Sequence, residues 1–311
     1  MNSSHPVPER PSSSSGPERA KRDEGRSGTE RDEGPSLDEL RAEAIAAARL
    51  PRRRGSWYVA EHIIRAMRAY GWTLVVGAVG QPVLYLVGLA LGLAALIQAP
   101  IQDGSQQVGY VVFVAPALLM SAAITVASEE FSYPVMAGFK WRRFFYGFSA
   151  SPLSSGQIVN GEVIGVSARV VLTAGLYYLF LLIFPAVGNP ATSWLMILVG
   201  ILAALAFGTP MLAYAASLEE DTGQFALVQR FVFMPMFLFS GTFYPLDSLP
   251  VWLQWIGWIS PLWHATELGR DLSYPRDTDG VMVAVHLVVL LAFAVGGYLA
   301  ARRIFARRLA A

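Results

Sequence analysis

The sequence predicts an all-α integral membrane protein: six transmembrane helices, an amphipathic interfacial helix before the first, and an external re-entrant helical hairpin before the last. Three observations carry this. Six apolar stretches each reach the length of about 20 residues that a helix needs to cross a bilayer core. Only 15% of the 311 residues are Asp, Glu, Lys or Arg, while 54% are hydrophobic, whereas soluble domains carry about 25% charged residues. The basic residues, finally, gather beside one set of span ends, as cytoplasmic loops of membrane proteins do.

The charge is unevenly placed, so the net value of +1 describes no part of the chain well. The first 54 positions hold 21 charged side chains, 11 basic and 10 acidic. Residues 1 to about 36, rich in Ser, Pro, Gly, Arg and Glu, bury too little apolar surface to offset ordering entropy and are expected to be disordered. They lack the apolar stretch of a secretory signal, and Asn2-Ser3-Ser4 matches a glycosylation sequon by spelling only. A short helix is expected from Leu37 to Leu50, ended by Pro51. The basic triplet Arg52-Arg53-Arg54 reads as a membrane-facing cytoplasmic cluster or as solvated linker charge. The domain division that follows is a charged cytoplasmic tail, 1–55, and a membrane body, 56–311.

Ser56 to Tyr70 comes next. At 100° per residue Val59, Ala60, Ile63, Ile64, Ala66, Met67 and Tyr70 share one side, with Glu61, His62, Arg65 and Arg68 opposite. A cationic polar face beside a hydrophobic span predicts a helix in the interface plane. The expected spans cover about 72–98, 110–128, 163–185, 194–217, 225–243 and 281–301. Prolines 82, 116, 210 and 235 lie inside them, which neighbouring helices make tolerable. With both termini in the cytoplasm, that side receives thirteen Lys or Arg residues near span ends, and the outside receives Arg270 and Arg276.

Two connections exceed simple turns. Glu129 to Glu162 mixes aromatics with a basic cluster, and a short interfacial helix ending at Ser151-Pro152-Leu153-Ser154 is expected there. Tyr244 to Asp279 holds four of the eight tryptophans, Trp252, Trp255, Trp258 and Trp263. Val251–Ile259 and Leu262–Leu268 are too short to span. A pair of short helices broken at Ser260-Pro261 and dipping into the outer leaflet fits them better.

The missing motifs exclude several chemistries. No cysteine means no disulfide framework and no thiolate nucleophile. Neither lysine, Lys21 or Lys140, follows a Gly-rich turn, so the phosphate-cradling loop G-x-x-x-x-G-K-S/T is absent. There is no H-E-x-x-H metal motif and no G-x-S-x-G elbow, and no catalytic residue is assigned. His264 and Glu267 share a helix face at i and i+3, but interfacial anchoring is the plainer account of both. An ion-coupled secondary transporter would place carboxylates near mid-membrane. None is visible in the spans, and His286 reads as a packed, hydrogen-bonded residue.

The order of elements resembles an ABC-2-type transport permease over about residues 56 to 308. The motifs that carry the resemblance are Phe239-Ser240-Gly241-Thr242-Phe243-Tyr244-Pro245, Ser260-Pro261-Leu262-Trp263-His264 with Glu267, and Ser151-Pro152-Leu153 leading to Gly161-Glu162. The hairpin segment looks most like the lipo-oligosaccharide (nodulation-factor) export branch and its drug-efflux relatives. The charged tail is not part of the family pattern. The resemblance implies half of an exporter pore, with a second permease copy, most simply a homodimer, and two separate ATP-binding cassette subunits that bind ATP and Mg. The chain itself would bind no cofactor; membrane lipid would be a partner and nucleic acid would not. The segment 139–155 matches the family's coupling helix, which makes Phe139, Trp141, Arg142, Arg143, Phe144, Phe145, Tyr146 and Pro152 expected contacts of the cassette subunit. The resemblance also gives the hairpin, with Trp255, Trp258, Pro261, Trp263 and Glu267, a gating role. Apart from the resemblance, Glu267 reads either as a solvent-facing helix charge or as a carboxylate that hydrogen-bonds across the dimer and holds an outer exit shut. The cargo implied is an amphiphile, such as a lipo-oligosaccharide, glycolipid or lipophilic drug, moved outward across the plasma or inner membrane.

Reporter fusions test the topology. Fusions after Ser105, Asn189 and Asp277 should report the outside, and those after Lys140, Asp221 and Ala311 the cytoplasm. The same side reported at 221 and 277 would break the six-span reading.

Overall fold

The computed structural model describes residues 36–47, 49–88, 92, 100–104 and 106–310. The tail expected to be disordered, 1–35, and most of the end of the first expected span lie outside the described residues. The chain divides into two compact units, 1–44 and 45–311. Helix α1, Leu37–Ala47, is exposed along its whole length. Helix α2, Arg49–Arg68, begins before Pro51 instead of after it. A proline in the first helical turn removes an N–H that has no intrahelical partner anyway, so Pro51 here belongs to a helix start.

The amphipathic face of α2 follows the periodicity in part: Ala66 and Tyr70, expected on the apolar side, are exposed. Val59, Ala60 and Met67 are buried, whereas His62, Arg65 and Arg68 are exposed. Val59 and Ile63 seat over Gly161 and Gly165 of α7, Ser155–Ile183. The chain then bends by 80° into α3, Gly71–Val87. A short antiparallel pair, β1 (Ile101–Asp103) and β2 (Gln106–Val108), precedes α4, Tyr110–Glu130. The sequence reading treated this stretch as a plain loop.

Among the described residues, four helices are long and apolar enough to cross a membrane: Tyr110–Trp141, Ser155–Ile183, Met196–Ser217 and Gly280–Ala310. The bent pair α2–α3 makes a fifth if counted as one span. The fifth expected span, 225–243, forms a shorter apolar helix, Gln224–Phe239, with a π-helical turn at Gln229–Phe233. We number the remaining helices α5 (Tyr133–Met136), α6 (Phe144–Ser149), α8 (Pro190–Ser193), α9 (Met196–Ser217), α10 (Gln224–Phe239), α11 (Val251–Trp258), α12 (Pro261–Ser273) and α13 (Gly280–Ala310).

Helix α4 is the most deeply buried of the long helices and packs against α7, α9 and α12. Phe113, Leu118, Leu119 and Ile124 have no appreciable exposure. By contrast α13 keeps Val288, Leu291 and Val295 exposed, an apolar outer surface that suits lipid and would be a liability in water. Helices α9 and α13 pack closely along their length. Gly297 faces Pro210 so closely that any Cβ would overlap the proline ring and its backbone. The proline at 210 leaves the carbonyl of Ala206 without an N–H from that position. Beside it Thr209 donates to Ala294 O across the interface at 2.7 Å.

Helix α7 starts eight residues earlier than the expected span. Ser154 caps it through a reciprocal pair with Gln157, a capping box whose S-x-x-Q signature is readable in the sequence. The early start brings Glu162 into the helix, where it is buried, correcting the reading that placed it in the connection. Two turns further along the same helix, Arg169 pairs with Glu130 and, at 3.3 Å, with Glu129 at the end of α4. Charge inside the bundle therefore exists, close to the basic end. Arg308 closes that end. It donates to Ala216 O and Leu218 O, both at 2.7 Å, satisfying carbonyls left free at the end of α9.

Two neighbouring glycines separate packing from helix propensity. Gly297→Ala should lower the melting temperature of the purified protein, since overpacking a tight interface costs about 1–3 kcal/mol. Gly296→Ala, whose Cβ would meet nothing within 4 Å, should leave it unchanged or slightly higher. Equal melting temperatures for the two variants would contradict the packing.

Candidate functional site

Two ends of the bundle carry polar chemistry, and each is assembled from segments distant in sequence. At the hairpin end, α11 and α12 form the pair of short helices that the break at Ser260-Pro261 predicts. Ser260 caps α12 through the N–H groups of Leu262 and Trp263, with Pro261 at the first helical position where its missing donor is harmless. Pro261 is buried, while Trp255 and Trp258 are 53% and 52% exposed.

Arg270 anchors this end. It is 1% exposed, and each of its three nitrogens has a partner. Nε donates to Phe113 O of α4 at 3.3 Å, Nη1 to Glu267 Oε1 at 2.8 Å, and Nη2 to Gly241 O at 2.6 Å. Its Cζ lies 3.7 Å from the centroid of the Phe113 ring. Gly241 adopts φ +70, a left-handed conformation that glycine enters without the Cβ penalty. That turn aims its carbonyl at the guanidinium, giving the Phe-Ser-Gly-Thr motif a physical role.

Arg276 binds three carboxylates at once: Asp103 through Nε at 3.0 Å, Glu267 through Nη2 at 2.8 Å, and Asp271 through Nη1 at 3.2 Å. Tyr274 donates to Asp103 at 2.6 Å, and Thr278 to Asp271 at 2.6 Å. Burial pushes the Tyr274 hydroxyl and the Asp271 carboxyl above their ordinary values. For Glu267 burial acts in the same direction, but Arg270 and Arg276 outweigh it and hold the carboxyl below its ordinary value. Glu267 is thus neither a free surface charge nor in need of a partner across a dimer. Both of its oxygens are taken by arginines of its own chain, so its charge is answered without a second copy.

His264, one turn before Leu268, does not pair with Glu267. Its Nε2 donates to Trp258 O at 2.9 Å, and its Nδ1 lies 2.7 Å from Nδ1 of His286 on α13. With Nε2 as the donor, the neutral ring accepts at Nδ1 from the His286 N–H. One proton therefore sits between the two rings. His286 is packed and hydrogen-bonded, as the sequence reading has it; the partner was not foreseen. Trp263 packs edge-on against both imidazoles.

The basic end requires one correction. Phe139 and Phe145, expected to meet a partner subunit, are buried. Their rings pack at 4.8 Å from each other, and at 4.8 and 5.1 Å from Phe305 of α13. The bundle claims them because stacking three aromatics buries more apolar surface than solvent-facing contacts would. Phe144 and Tyr146 are half-buried, and Phe144 and Phe148 pack against His62 of α2. The residues left exposed are Trp141, Arg142, Arg143 and Pro152, together with Lys140. Trp141 stacks on Tyr133.

Between α9, α10 and the hairpin lies an apolar groove of about 640 Å³, lined by Phe207, Tyr214, Phe231, Trp255, Ile256 and Phe293 among others. The sequence reading missed the groove and most of the hairpin-end network. Asp103, Arg270, Tyr274 and Arg276 fall in segments read as loops or as plain anchors. One signal was present: Arg270 and Arg276 are the only cations on that set of span ends, and they have acidic residues nearby. Among the described residues no group of three or more His, Asp or Glu could hold a metal ion.

The Glu267 pairing sets a pH dependence. A carboxyl lowered by folding contributes stability that is present above its ordinary value of 4.5 and lost as pH falls through its lowered value. Hydrogen exchange over residues 261–276 should therefore accelerate only once the pH has fallen below that ordinary value of 4.5, beyond the intrinsic change. Glu267→Gln should exchange fast already at pH 6 with no such step. A step of the same size in the variant would assign it to another group.

The comparisons with known proteins follow this geometry closely. The profile of the ABC-2 type transporter family matches residues 62–274, from within α2 to the residue after α12. The chain is 28% identical over 244 residues to Nodulation protein J of Rhizobium leguminosarum bv. viciae, covering 76% of this chain and 87% of the relative. With Nodulation protein J of Bradyrhizobium diazoefficiens it is 27% identical over 266 residues, covering 78% and 95%. It is also 29% identical over 136 residues to the probable multidrug ABC transporter permease YbhR of Escherichia coli K12, covering 42% and 34%. With a family profile that spans most of the helical unit, the chain belongs to the ABC-2 type transporter family and is a multi-pass membrane protein.

Proposed function

We propose that the chain is the permease subunit of an ATP-driven exporter that moves an amphiphilic compound outward across the plasma or inner membrane. The observation that carries this reading is the apolar groove of about 640 Å³ beside the hairpin. A groove of that size, lined by aromatic and aliphatic side chains, suits the hydrocarbon part of a cargo. The adjacent charged network suits the polar part.

In this reading α3 with its continuation and α10 join the four long helices as six spans, with both termini in the cytoplasm and the hairpin outside. The lack of any phosphate-binding loop makes a separate cassette subunit the source of energy, and ATP with Mg would bind there. Lys140, Trp141, Arg142, Arg143 and the Pro152 turn, exposed at the basic end, form the surface for that subunit. Phe139 and Phe145 support it from behind. A second permease copy completes the pore. Hairpin residues Trp255, Trp258, Pro261, Trp263 and Glu267 form the outer gate, held closed within one chain by Arg270 and Arg276 and by the His264–His286 pair.

A second reading, an ion-coupled transporter, draws on Glu162, a carboxylate buried inside α7 next to the Glu130–Arg169 pair. One assay separates the two. In vesicles holding the chain and its cassette subunit, vanadate should abolish uptake and an uncoupler should not. Inhibition by the uncoupler alone would favour the ion-coupled reading. Trp141→Ala with Arg142→Ala should reduce co-purification of the cassette subunit, since anchors at an interface centre are each worth about 2 kcal/mol or more. Retained co-purification and transport would move the coupling surface elsewhere.

A further inference from the structure

Behind the hairpin, separate from the apolar groove, lies a polar cavity of about 270 Å³ bounded by Asp247, Gln254, Trp258, Trp263, Arg270 and Arg276. Its two arginines suggest an anion site at first sight, but their bonds argue otherwise. Arg270 has all three nitrogens engaged, and Arg276 is shared among Asp103, Glu267 and Asp271. An anion entering the cavity would find no uncommitted cation and would face the carboxylates of Asp103 and Glu267, which also line it.

The groups that remain free point to the opposite charge. Asp247 is exposed and has no hydrogen-bond or ion-pair partner among the described residues. Gln254 spends its Nε2 on Leu249 O at 2.9 Å, leaving its amide oxygen as an acceptor. Trp258 and Trp263 add indole rings, whose faces attract cations. A free carboxylate, an amide oxygen and aromatic faces together select a cation that carries N–H donors. The same helix, α11, turns Trp255 and Ile256 to the apolar groove and Gln254 and Trp258 to the cavity.

We propose that the cavity receives the protonated amine of an amphiphile whose apolar body lies in the groove across α11. The inference rests on the exporter reading and narrows its substrate class to amphiphilic ammonium compounds. Asp247 is the charge partner, Gln254 takes an N–H, and Trp258 covers the cationic head. Arg270 and Arg276 hold the cavity walls and do not touch the ligand.

Binding without transport tests it. The full chain in phosphatidylcholine nanodiscs is titrated calorimetrically at pH 7 with hexylammonium, hexanesulfonate and hexyl glucoside, with empty nanodiscs subtracted. Hexylammonium should bind in preference to the other two. Asp247→Asn should weaken its binding about tenfold, and Trp258→Leu about fivefold, the scale of a solvent-exposed cation–π contact. Asp247 is exposed and unpartnered, so the Asn variant should keep the parent melting temperature. Equal affinity for the three probes, or an Asp247→Asn variant that binds hexylammonium as the parent does, overturns the proposal. Because neither cassette nor ATP is present, failed transport in the vesicle assay leaves this result standing. Lost ammonium selectivity likewise leaves the exporter reading intact.

Discussion

Arg270 is the residue on which the hairpin end of the molecule depends. It reaches α4, the turn after α10 and its own helix, joining segments up to 157 positions apart in sequence. A buried guanidinium is tolerable only when its charge and its donors are answered together. Glu267 supplies the charge, two backbone carbonyls supply acceptors, and the Phe113 ring covers its face. Removing Glu267 would leave the guanidinium buried without its counter-charge, a loss of about 3–5 kcal/mol. The left-handed Gly241 turn serves this one side chain by presenting its carbonyl to Nη2, and Glu267 links it onward to Arg276.

The two ends of the bundle solve different problems. The hairpin end uses ion pairs among side chains, with Asp103 from the β1–β2 pair brought to Arg276 and Tyr274. The basic end uses aromatic stacking and helix capping: Phe139, Phe145 and Phe305 interlock, and Arg308 closes α9. Between them the long helices meet through small residues and prolines, as Gly297 and Pro210 do. Such surfaces rely on close packing and short interhelical hydrogen bonds, since lipid offers little hydrophobic drive for helix association. The Nδ1–Nδ1 contact of His264 and His286 belongs to the same logic, giving two buried rings one shared proton.

Much of the fold was legible in the sequence because bilayer physics writes in long, coarse signals. The apolar runs, the amphipathic face of α2 and the proline break between α11 and α12 could each be read from residue type and spacing. Boundaries were less secure. Pro51, a helix breaker by residue type, lies in the first turn of α2, and α7 begins eight residues before its apolar run, at the Ser154–Gln157 capping box. Of the candidate site, the hairpin tryptophans and Glu267 were visible as unusual residues, and Trp141, Arg142 and Arg143 as an exposed basic–aromatic group. Phe139 and Phe145 were misjudged because aromatic residues serve a core and an interface equally well, and sequence alone does not say which is nearer.

By itself the sequence determined that this chain is a helical membrane protein with a broken hairpin before its last span, and which family it resembles. Hydropathy periods of 20 residues and helix-breaking prolines are local properties, fixed by the chain before it folds. Only the tertiary structure decided how the charges pair. Glu267, Arg270, Arg276 and Asp103 come from separated segments, and their meeting depends on how α4, α12 and the β1–β2 pair pack. The same holds for the two cavities on either side of α11 and for the burial of Phe139 behind Trp141. Pairing between distant residues is a product of packing geometry, and no local pattern encodes it.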